Sequence, residues 1–289
     1  MITHPFTYQA PTTIEEAVQQ LGRSDDAKVI AGGHSLLPLM KLGLAQPETL
    51  VDLRRIASLR EIRTDADGTI VIGALATHRD IAHDATVRAK LAALADAAGE
   101  VGDLQVRARG TIGGSLAHAD PAADEPAATL AYDASIRAIG PKGSRDIAAR
   151  DYFKGAFETA LAADEILAEI RFPAPPGGTG GAYAKFAHPA SGFAVTAVAA
   201  VVTMKSDGTI ERAAIGVAGA AAAAYRATDA ERALTGSNGD AKAIAAAAAK
   251  AANGITALSD LAASADYRKH LVTVYAKRAI ERAIQRARA

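Results

Sequence analysis

The sequence predicts an α+β protein made of more than one domain. The chain has 289 residues, which is longer than a usual single domain and leaves room for two or three cores. Helix-like and strand-like segments alternate through the first 176 residues. The segment 173–181 holds the densest run of proline and glycine in the chain. Such a run is typical of a linker, so we expect a domain boundary there.

Composition narrows the function classes. Hydrophobic residues make up 49% and charged residues 22% of the chain, as in an ordinary globular protein. The formal net charge of zero gives no electrostatic reason to bind nucleic acid. The absence of cysteine excludes disulfides, thiolate metal sites and cysteine-held iron–sulfur clusters within the chain, so any electron carrier here is organic. With no basic leader and no apolar segment of membrane-spanning length, we expect a cytoplasmic protein.

The first 55 residues predict a small α/β subdomain. Thr13 begins a capping-box pattern for a short helix that ends at Leu21. A strand follows at 28–31, a short helix at 36–44 and a second strand at 49–53. The loops between these elements are expected at one edge of the subdomain.

Residues 56–176 predict a second α/β subdomain. A strand at 69–73 is followed by a capping-box pattern at Thr77, which begins an alanine-rich helical stretch to about Ala98. An apolar run at 127–130 predicts a buried helix. Further strands are expected at 134–139 and 166–172.

Residues 177–289 predict a third unit with a hairpin followed by helices. Strand-like runs at 195–204 and 210–218 flank Ser206-Asp207-Gly208, which is a good hairpin turn. Helices are then expected from Thr228, from Asp240 and from Asp266 to the end of the chain.

Two glycine motifs, Ala31 to Ser35 and Thr111 to Ser115, are the main functional signal. Glycine lacks a Cβ, so such a backbone can approach an anion closely and present successive N–H groups to it. Each motif alone is more often a simple turn, and neither fits the Walker or the Rossmann pattern. Together they predict two loops that converge on a pyrophosphate.

The residues around both motifs resemble a known family. Ala31-Gly32-Gly33-His34-Ser35-Leu36-Leu37-Pro38 is followed by Met40-Lys41, and Gly110-Thr111-Ile112-Gly113-Gly114-Ser115 is followed by Ala119-Asp120-Pro121 and Asp124. Both segments resemble the flavin-binding segments of the FAD-binding medium subunits of molybdenum hydroxylases. The similarity continues through Arg150-Asp151-Tyr152-Phe153 and covers essentially the whole chain.

The resemblance implies a fold and a set of partners. The fold would be a two-part FAD-binding domain of the vanillyl-alcohol-oxidase (PCMH) type, followed by a domain with a three-stranded antiparallel sheet and a helical bundle. The domains would be 1–55, 56–176 and 177–289. Noncovalent FAD would take electrons from a small subunit with two 2Fe–2S clusters and pass them to an external acceptor such as oxygen, a quinone, a nicotinamide or a haem protein. A molybdopterin-binding large subunit would hold the organic substrate, whose identity stays open.

The resemblance also implies the cofactor-binding positions. They are Ala31, Gly32, Gly33, His34, Ser35, Leu36, Thr111, Ile112, Gly113, Gly114, Ser115, Ala119, Asp120, Asp124, Leu167, Lys185 and Phe193. The two glycine motifs would hold the pyrophosphate, and Asp124 would accept a hydrogen bond from a ribose or ribityl hydroxyl, unless it is only a helix N-terminal charge. Leu167 and Phe193 would pack on the flavin ring, and Lys185 would stabilise its anionic reduced state.

Three positions depart from the family pattern. Ser115 stands where asparagine is common, Gly192 where an acidic residue is common, and Phe193 where tyrosine is common. These departures leave open how the ring is covered. Ser115 and Gly192 are also the only support for the alternative that the chain is a docking scaffold that has lost its flavin.

A stand-alone flavin oxidase is the other alternative, because Gly-Gly-His also occurs where a histidine such as His34 is bonded covalently to flavin. The arginine that usually lies two residues before that motif is replaced here by Ile30. A metal site at His118, Asp120 and Asp124 is a poor ligand set. His78 and His83 are expected on a solvated helix face.

Overall fold

The computed structural model describes residues 2–289. Its sheets have three, five, four and two strands. The elements up to residue 176 are β1 (Thr7–Gln9), α1 (Ile14–Leu21), β2 (Ala27–Ile30), α2 (Leu36–Lys41), β3 (Thr49–Asp52), β4 (Ile62–Thr64), β5 (Ile70–Gly73), α3 (His78–His83), α4 (Ala85–Lys90), α5 (Ala92–Glu100), α6 (Leu104–Arg109), α7 (Ile112–His118), α8 (Glu125–Ala131), β6 (Ser135–Gly140), β7 (Gly143–Ala148), α9 (Ala149–Tyr152), β8 (Phe153–Gly155), β9 (Glu158–Thr159) and β10 (Ile166–Phe172). The later elements are β11 (Thr179–Ala187), β12 (Ala194–Met204), β13 (Ile210–Ala218), β14 (Tyr225–Arg226), α10 (Thr228–Leu234), α11 (Ala241–Ala248) and α12 (Ala265–Arg288).

The first sheet is parallel, in the order β1-β3-β2. Helix α1 begins where the sequence predicted, because the Thr13 hydroxyl accepts a hydrogen bond from the backbone N–H of Glu16 at 3.2 Å. The first glycine motif follows directly after β2. It therefore lies at the carboxyl edge of a parallel sheet, where α/β folds commonly bind ligands.

The second sheet is antiparallel, in the order β4-β5-β10-β6-β7. The predicted strands at 69–73, 134–139 and 166–172 correspond to β5, β6 and β10. Strand β7 was not predicted because it lies at the sheet edge and its first four residues are exposed. Without alternating apolar side chains, such a strand has no hydrophobic signal.

The third sheet has three long antiparallel strands, β11-β12-β13, and the two-residue β14 at its edge. The predicted linker at 173–181 was too long, because β11 already begins at Thr179. Gly180 and Gly181 belong to this strand and mark close packing. A Cβ on Gly181 would overlap the hydroxyl oxygen of Tyr132, and one on Gly180 would overlap the backbone of α12.

The largest hydrophobic core crosses residue 176. It joins Ile72 and Leu94 of the earlier elements to Tyr183, Ala197 and Val201 of the third sheet. The opposite face of that sheet packs on α12 in a second core. The third sheet therefore lies between the elements up to residue 176 and the C-terminal helices. Across residues 2–289, no helix is both long enough and apolar enough to cross a membrane.

Candidate functional site

One cavity of about 570 Å³ brings together most of the predicted site residues. The predicted positions on its wall are Ala31, Gly32, Gly33, His34, Ser35, Leu36, Thr111, Gly113, Gly114, Ser115, Asp120, Asp124, Leu167 and Phe193. Ile112, Ala119 and Lys185 lie outside this wall. The cavity has the size and the mixed polar and apolar lining of a cofactor site.

The first glycine motif presents free backbone donors to the cavity. The N–H groups of the five residues from Gly32 to Leu36 donate to no other backbone atom between residues 2 and 289. Gly33 has a φ of 79°, a left-handed conformation that glycine adopts without strain. Successive unpaired N–H groups on a concave wall favour an anion, so this motif fits a pyrophosphate.

Gly32 packs the first motif against the backbone that leads directly into the second. A Cβ at this position would overlap the carbonyl oxygen of Arg109 and lie 2.9 Å from the Cα of Gly110. Only glycine allows the two backbones this close. The proximity of the motifs therefore depends on a missing side chain.

The second glycine motif is the first turn of helix α7, which corrects the predicted loop. The backbone N–H groups of the four residues from Ile112 to Ser115 are already used inside the protein. Ile112 donates to the carbonyl of Ala76 at 3.1 Å, and Gly113 donates to that of Ala74 at 2.9 Å. The backbone N–H of Gly114 donates to the Thr111 hydroxyl at 3.1 Å.

Four of the five amides of the second motif are therefore not available to an anion cradle. Its contribution to the wall is the hydroxyl groups of Thr111 and Ser115 and the bare surfaces of its glycines. Ile112 is fully buried in the core and does not face the cavity. The two motifs resemble each other in sequence but differ in what they offer a ligand.

Asp124 is a buried carboxylate on the cavity wall, 5% exposed. Its Oδ1 accepts hydrogen bonds from the Tyr183 hydroxyl at 2.5 Å and from Nζ of Lys185 at 2.9 Å. Burial raises the pKa of Asp124 to about 6, although Lys185 and Tyr183 oppose the rise. The side chain makes no capping bond to helix α8, so it does not act as a helix cap. Its Oδ2 makes no hydrogen bond within residues 2–289 and is free to accept one from a ligand.

Lys185 lies behind Asp124 and outside the cavity wall. Its side chain is 3% exposed, and Nζ also donates to the carbonyls of Glu100 at 2.7 Å and Gly192 at 2.9 Å. Gly192, with a φ of 73°, directly precedes the half-exposed Phe193 on the wall. Lys185 therefore connects the buried carboxylate to the turn that carries Phe193.

His78 was expected in solvent, and the structure shows it buried and 4% exposed on the cavity wall. Its Nδ1 lies 2.8 Å from Oε1 of Glu125, whose side chain is fully buried. Burial lowers the pKa of His78, but the charge and hydrogen bond of Glu125 outweigh it, so the pKa is raised. The capping-box pattern around His78 gives no sign of this, because it fits an exposed helix equally well.

Phe157 is a second wall residue that sequence analysis missed. Its backbone has a φ of 59°, which is unusual for a bulky side chain, and its N–H donates to the carbonyl of Ala119 at 3.0 Å. The ring lies 5.0 Å from that of His118, centroid to centroid. Nothing in the local sequence marks a left-handed residue here, since such positions normally select glycine or asparagine.

Comparison with known proteins identifies the family of this chain. Residues 4–175 match the family model described as the FAD binding domain in molybdopterin dehydrogenase. Residues 181–283 match the CO dehydrogenase flavoprotein C-terminal domain. The chain belongs to the FAD-binding medium subunits of the molybdenum hydroxylases. The predicted family and the FAD cofactor are thus confirmed.

Relatives cover the whole medium subunit. The present chain is 42% identical to the carbon monoxide dehydrogenase medium chain of Hydrogenophaga pseudoflava, with 98% of each chain covered. It is 37% identical to the nicotine 6-hydroxylase medium subunit of Paenarthrobacter nicotinovorans, with 94% of this chain and 95% of the relative covered.

Solved structures confirm the predicted α+β fold class of this medium subunit. Carbon monoxide dehydrogenase from Hydrogenophaga pseudoflava matches with a TM-score of 0.95 at 42% identity, over 99% of both chains. Quinoline 2-oxidoreductase from Pseudomonas putida 86 matches with a TM-score of 0.93 at 34% identity, over 100% of both chains.

Proposed function

We propose that this medium subunit binds FAD noncovalently in the cavity and carries electrons from an iron–sulfur subunit to an external acceptor. The observation that carries the proposal is the row of free backbone N–H groups from Gly32 to Leu36 on the cavity wall. A Cβ at Gly32 would fill the place where the two motifs meet, so the shape of this wall depends on glycine at that position. Bound FAD supplies one-electron and two-electron redox chemistry.

Different residues of the wall bind different parts of the cofactor. The amides from Gly32 to Leu36 hold the pyrophosphate, with the hydroxyls of Thr111 and Ser115 beside it. Oδ2 of Asp124 accepts a hydrogen bond from a ribose or ribityl hydroxyl. Leu167 and Phe193 give the ring system an apolar wall that excludes water.

The complex needs at least two other chains. This chain has no cysteine to hold an iron–sulfur cluster. Relatives such as the nicotine 6-hydroxylase are described as medium subunits, which supports a complex with other subunits. A small subunit with two 2Fe–2S clusters and a molybdopterin-binding large subunit therefore complete the enzyme. The large subunit determines which organic substrate is oxidised, and this chain determines which electron acceptor is reduced.

Two further features belong to the proposal. The chain divides into 1–55, 56–176 and 177–289, with the second boundary between β10 and β11. The complex works in the cytoplasm. Its activity needs neither nucleic acid nor a membrane span.

Purification of the native complex through a tag on this chain tests the proposal. Iron, molybdenum and one FAD per copy are expected to copurify, with reduction of an artificial acceptor when the substrate is added. Isolation of the chain as a lone active dehydrogenase would contradict the subunit assignment.

Acid precipitation tests the noncovalent attachment. All of the yellow colour is expected in the supernatant. Colour that stays in the pellet and is lost in His34→Ala would support the stand-alone oxidase with flavin bonded to His34.

A further inference from the structure

A second concave region, larger than the FAD cavity, lies on the far side of the segment 100–107. It is a trench of about 1050 Å³. Glu100, Leu104 and Arg107 of this segment line the trench, whereas Val101, Gly102 and Val106 line the cavity. The two sites therefore share one wall and do not overlap.

The floor of the trench is one face of helix α5. Ala92, Ala95, Asp96 and Gly99 lie on it with the spacing of a single helical face. Three of these four side chains are a methyl group or a hydrogen atom, so they leave the space above the helix open. Nine residues at about 1.5 Å each make the floor about 13 Å long.

The walls of the trench are strongly basic. Six arginine and lysine residues line it against two carboxylates, Asp96 and Glu100, although the whole chain has a formal net charge of zero. The basic residues are Arg79, Arg88, Lys90, Arg107, Arg282 and Arg286. They come from α3, α4, α6 and α12. Cations that line one concave region focus a positive potential into it.

Half of these six cations have no carboxylate partner in the described part of the protein, since Arg79 lies 3.7 Å from Asp80 and two others share one carboxylate. Asp96 is shared by Arg282 at 3.3 Å and Arg286 at 2.7 Å, so one carboxylate serves two guanidinium groups. Arg107 donates only to the backbone carbonyls of Val101 and Gly102. Arg88 and Lys90 make no ion pair within residues 2–289. The trench therefore holds several cations that an incoming anion could neutralise.

Its dimensions favour a small molecule over a protein. A stable protein partner buries about 800 Å² of surface on each side. The floor of the trench is a single nine-residue helix, which is too small for such an interface. A length of about 13 Å suits one nucleotide-sized molecule. Arginine is the residue best suited to phosphate, because its planar donors form paired hydrogen bonds to two oxygens.

We propose that this trench binds a small polyanion with two or more phosphate groups, in the class of organic diphosphates. The phosphates lie between the α4 wall, with Arg88 and Lys90, and the α12 wall, with Arg282 and Arg286. The alanine and glycine floor accommodates the rest of the molecule. The inference goes beyond the FAD site and does not depend on it.

The test is isothermal titration of the FAD-saturated protein with inorganic pyrophosphate, ADP and adenosine. FAD saturation keeps the probes out of the Gly32–Leu36 cradle. The variant Arg88→Gln/Lys90→Gln removes two charges from the trench. The matched control Arg23→Gln/Arg55→Gln removes two exposed charges elsewhere.

We expect pyrophosphate and ADP to bind at one site and adenosine not to bind. The trench variant is expected to weaken binding by about tenfold or more, and the control by less than about twofold. All four positions are exposed, so both variants are expected to unfold at the wild-type temperature and to keep the flavin spectrum. If the chain holds no FAD, the comparison of the two variants still decides, because their cavities are identical.

Equal weakening in both variants, or no binding of either phosphate probe, would overturn the proposal. A glutamate hexapeptide is titrated as a further probe. If it binds, is sensitive to Arg88→Gln/Lys90→Gln and is not displaced by ADP, the trench is a docking site for an acidic protein segment and not a diphosphate site.

Discussion

Gly32 determines whether the two glycine motifs can touch, although it has no side chain. Since a Cβ there would overlap the carbonyl oxygen of Arg109, the motifs must separate if the residue is enlarged. Forcing extra atoms into such a contact costs about 1–3 kcal/mol. The amides beside Gly32 would then lose their position on the cavity wall.

Gly32→Ala is therefore expected to weaken FAD binding by about tenfold or more. The dissociation constant is measured by flavin fluorescence on apoprotein titrated with FAD. Gly177→Ala is the matched control, because no atom lies within 4 Å of the added Cβ. Equal affinity in the two variants would show that contact between the motifs does not matter for binding.

The buried pair of His78 and Glu125 makes stability depend on pH. The folded pKa of His78 is raised, so its contribution to the free energy of unfolding is complete below about pH 6.5, the unfolded value. The contribution is lost as pH rises through the folded pKa. Asp124, whose pKa is about 6, and Arg107 also act on His78.

We expect the stability advantage of the wild type over His78→Gln to shrink as the pH rises above about 7 and through the raised pKa of His78. Asp124 is largely ionised through this range, so its own titration adds little. Urea unfolding of the apoprotein gives the difference at each pH. In a Glu125→Gln background, the dependence of this stability difference on pH is expected to vanish. If the difference between wild type and His78→Gln stays constant with pH while Glu125 is present, the charge pairing is refuted.

Helix α7 depends on its N-cap, because the Thr111 hydroxyl accepts the N–H of Gly114 while two further amides bond to the segment after β5. Thr111→Ala is expected to lower the free energy of unfolding by about 1 kcal/mol. Thr111→Ser keeps the oxygen and is expected to restore most of it. Urea unfolding measures both, and equal loss in the two variants would show that the methyl group, not the cap, carries the effect.

At the scale of elements, the sequence is informative where side chains alternate between core and solvent. Helix α1 and strand β5 were predicted from their own capping and apolar patterns. Strand β7 was not, since its exposed edge position removes that pattern. Strand β11 was hidden because Gly180 and Gly181 give a turn-like composition to a segment that is pressed against α12 and Tyr132.

The same limit applies to the site. The glycine motifs and Asp124 could be found from the sequence because local composition and family resemblance coincide there. His78 and Phe157 could not. Glu125, the partner of His78, lies 47 positions away in the sequence. Phe157 likewise makes its contacts with distant residues, through a backbone hydrogen bond to Ala119 and a ring contact with His118.

At the scale of the molecule, the main core joins elements on both sides of residue 176. Ile72 and Leu94 pack in the same cluster as Tyr183 and Val201. Neither side can lose its fold without exposing apolar surface of the other. Cooperation between the two sides is a consequence of this shared burial.

Urea unfolding of the apoprotein is therefore expected to show a single transition. Far-ultraviolet circular dichroism and tyrosine fluorescence should give the same midpoint, and a fragment ending at residue 176 should bind a hydrophobic dye strongly. Two separated transitions would show that the C-terminal unit folds independently despite the shared core.

The left-handed backbone at Phe157 has a consequence for laboratory evolution. Holding a non-glycine residue there costs about 1–2 kcal/mol, while the contact with His118 returns about 0.5–1.5 kcal/mol. A population selected only for heat resistance would drift towards glycine or asparagine at position 157. Because the ring lies on the cavity wall, a population selected for holding its flavin is expected to keep it, and the two lineages would separate at this residue.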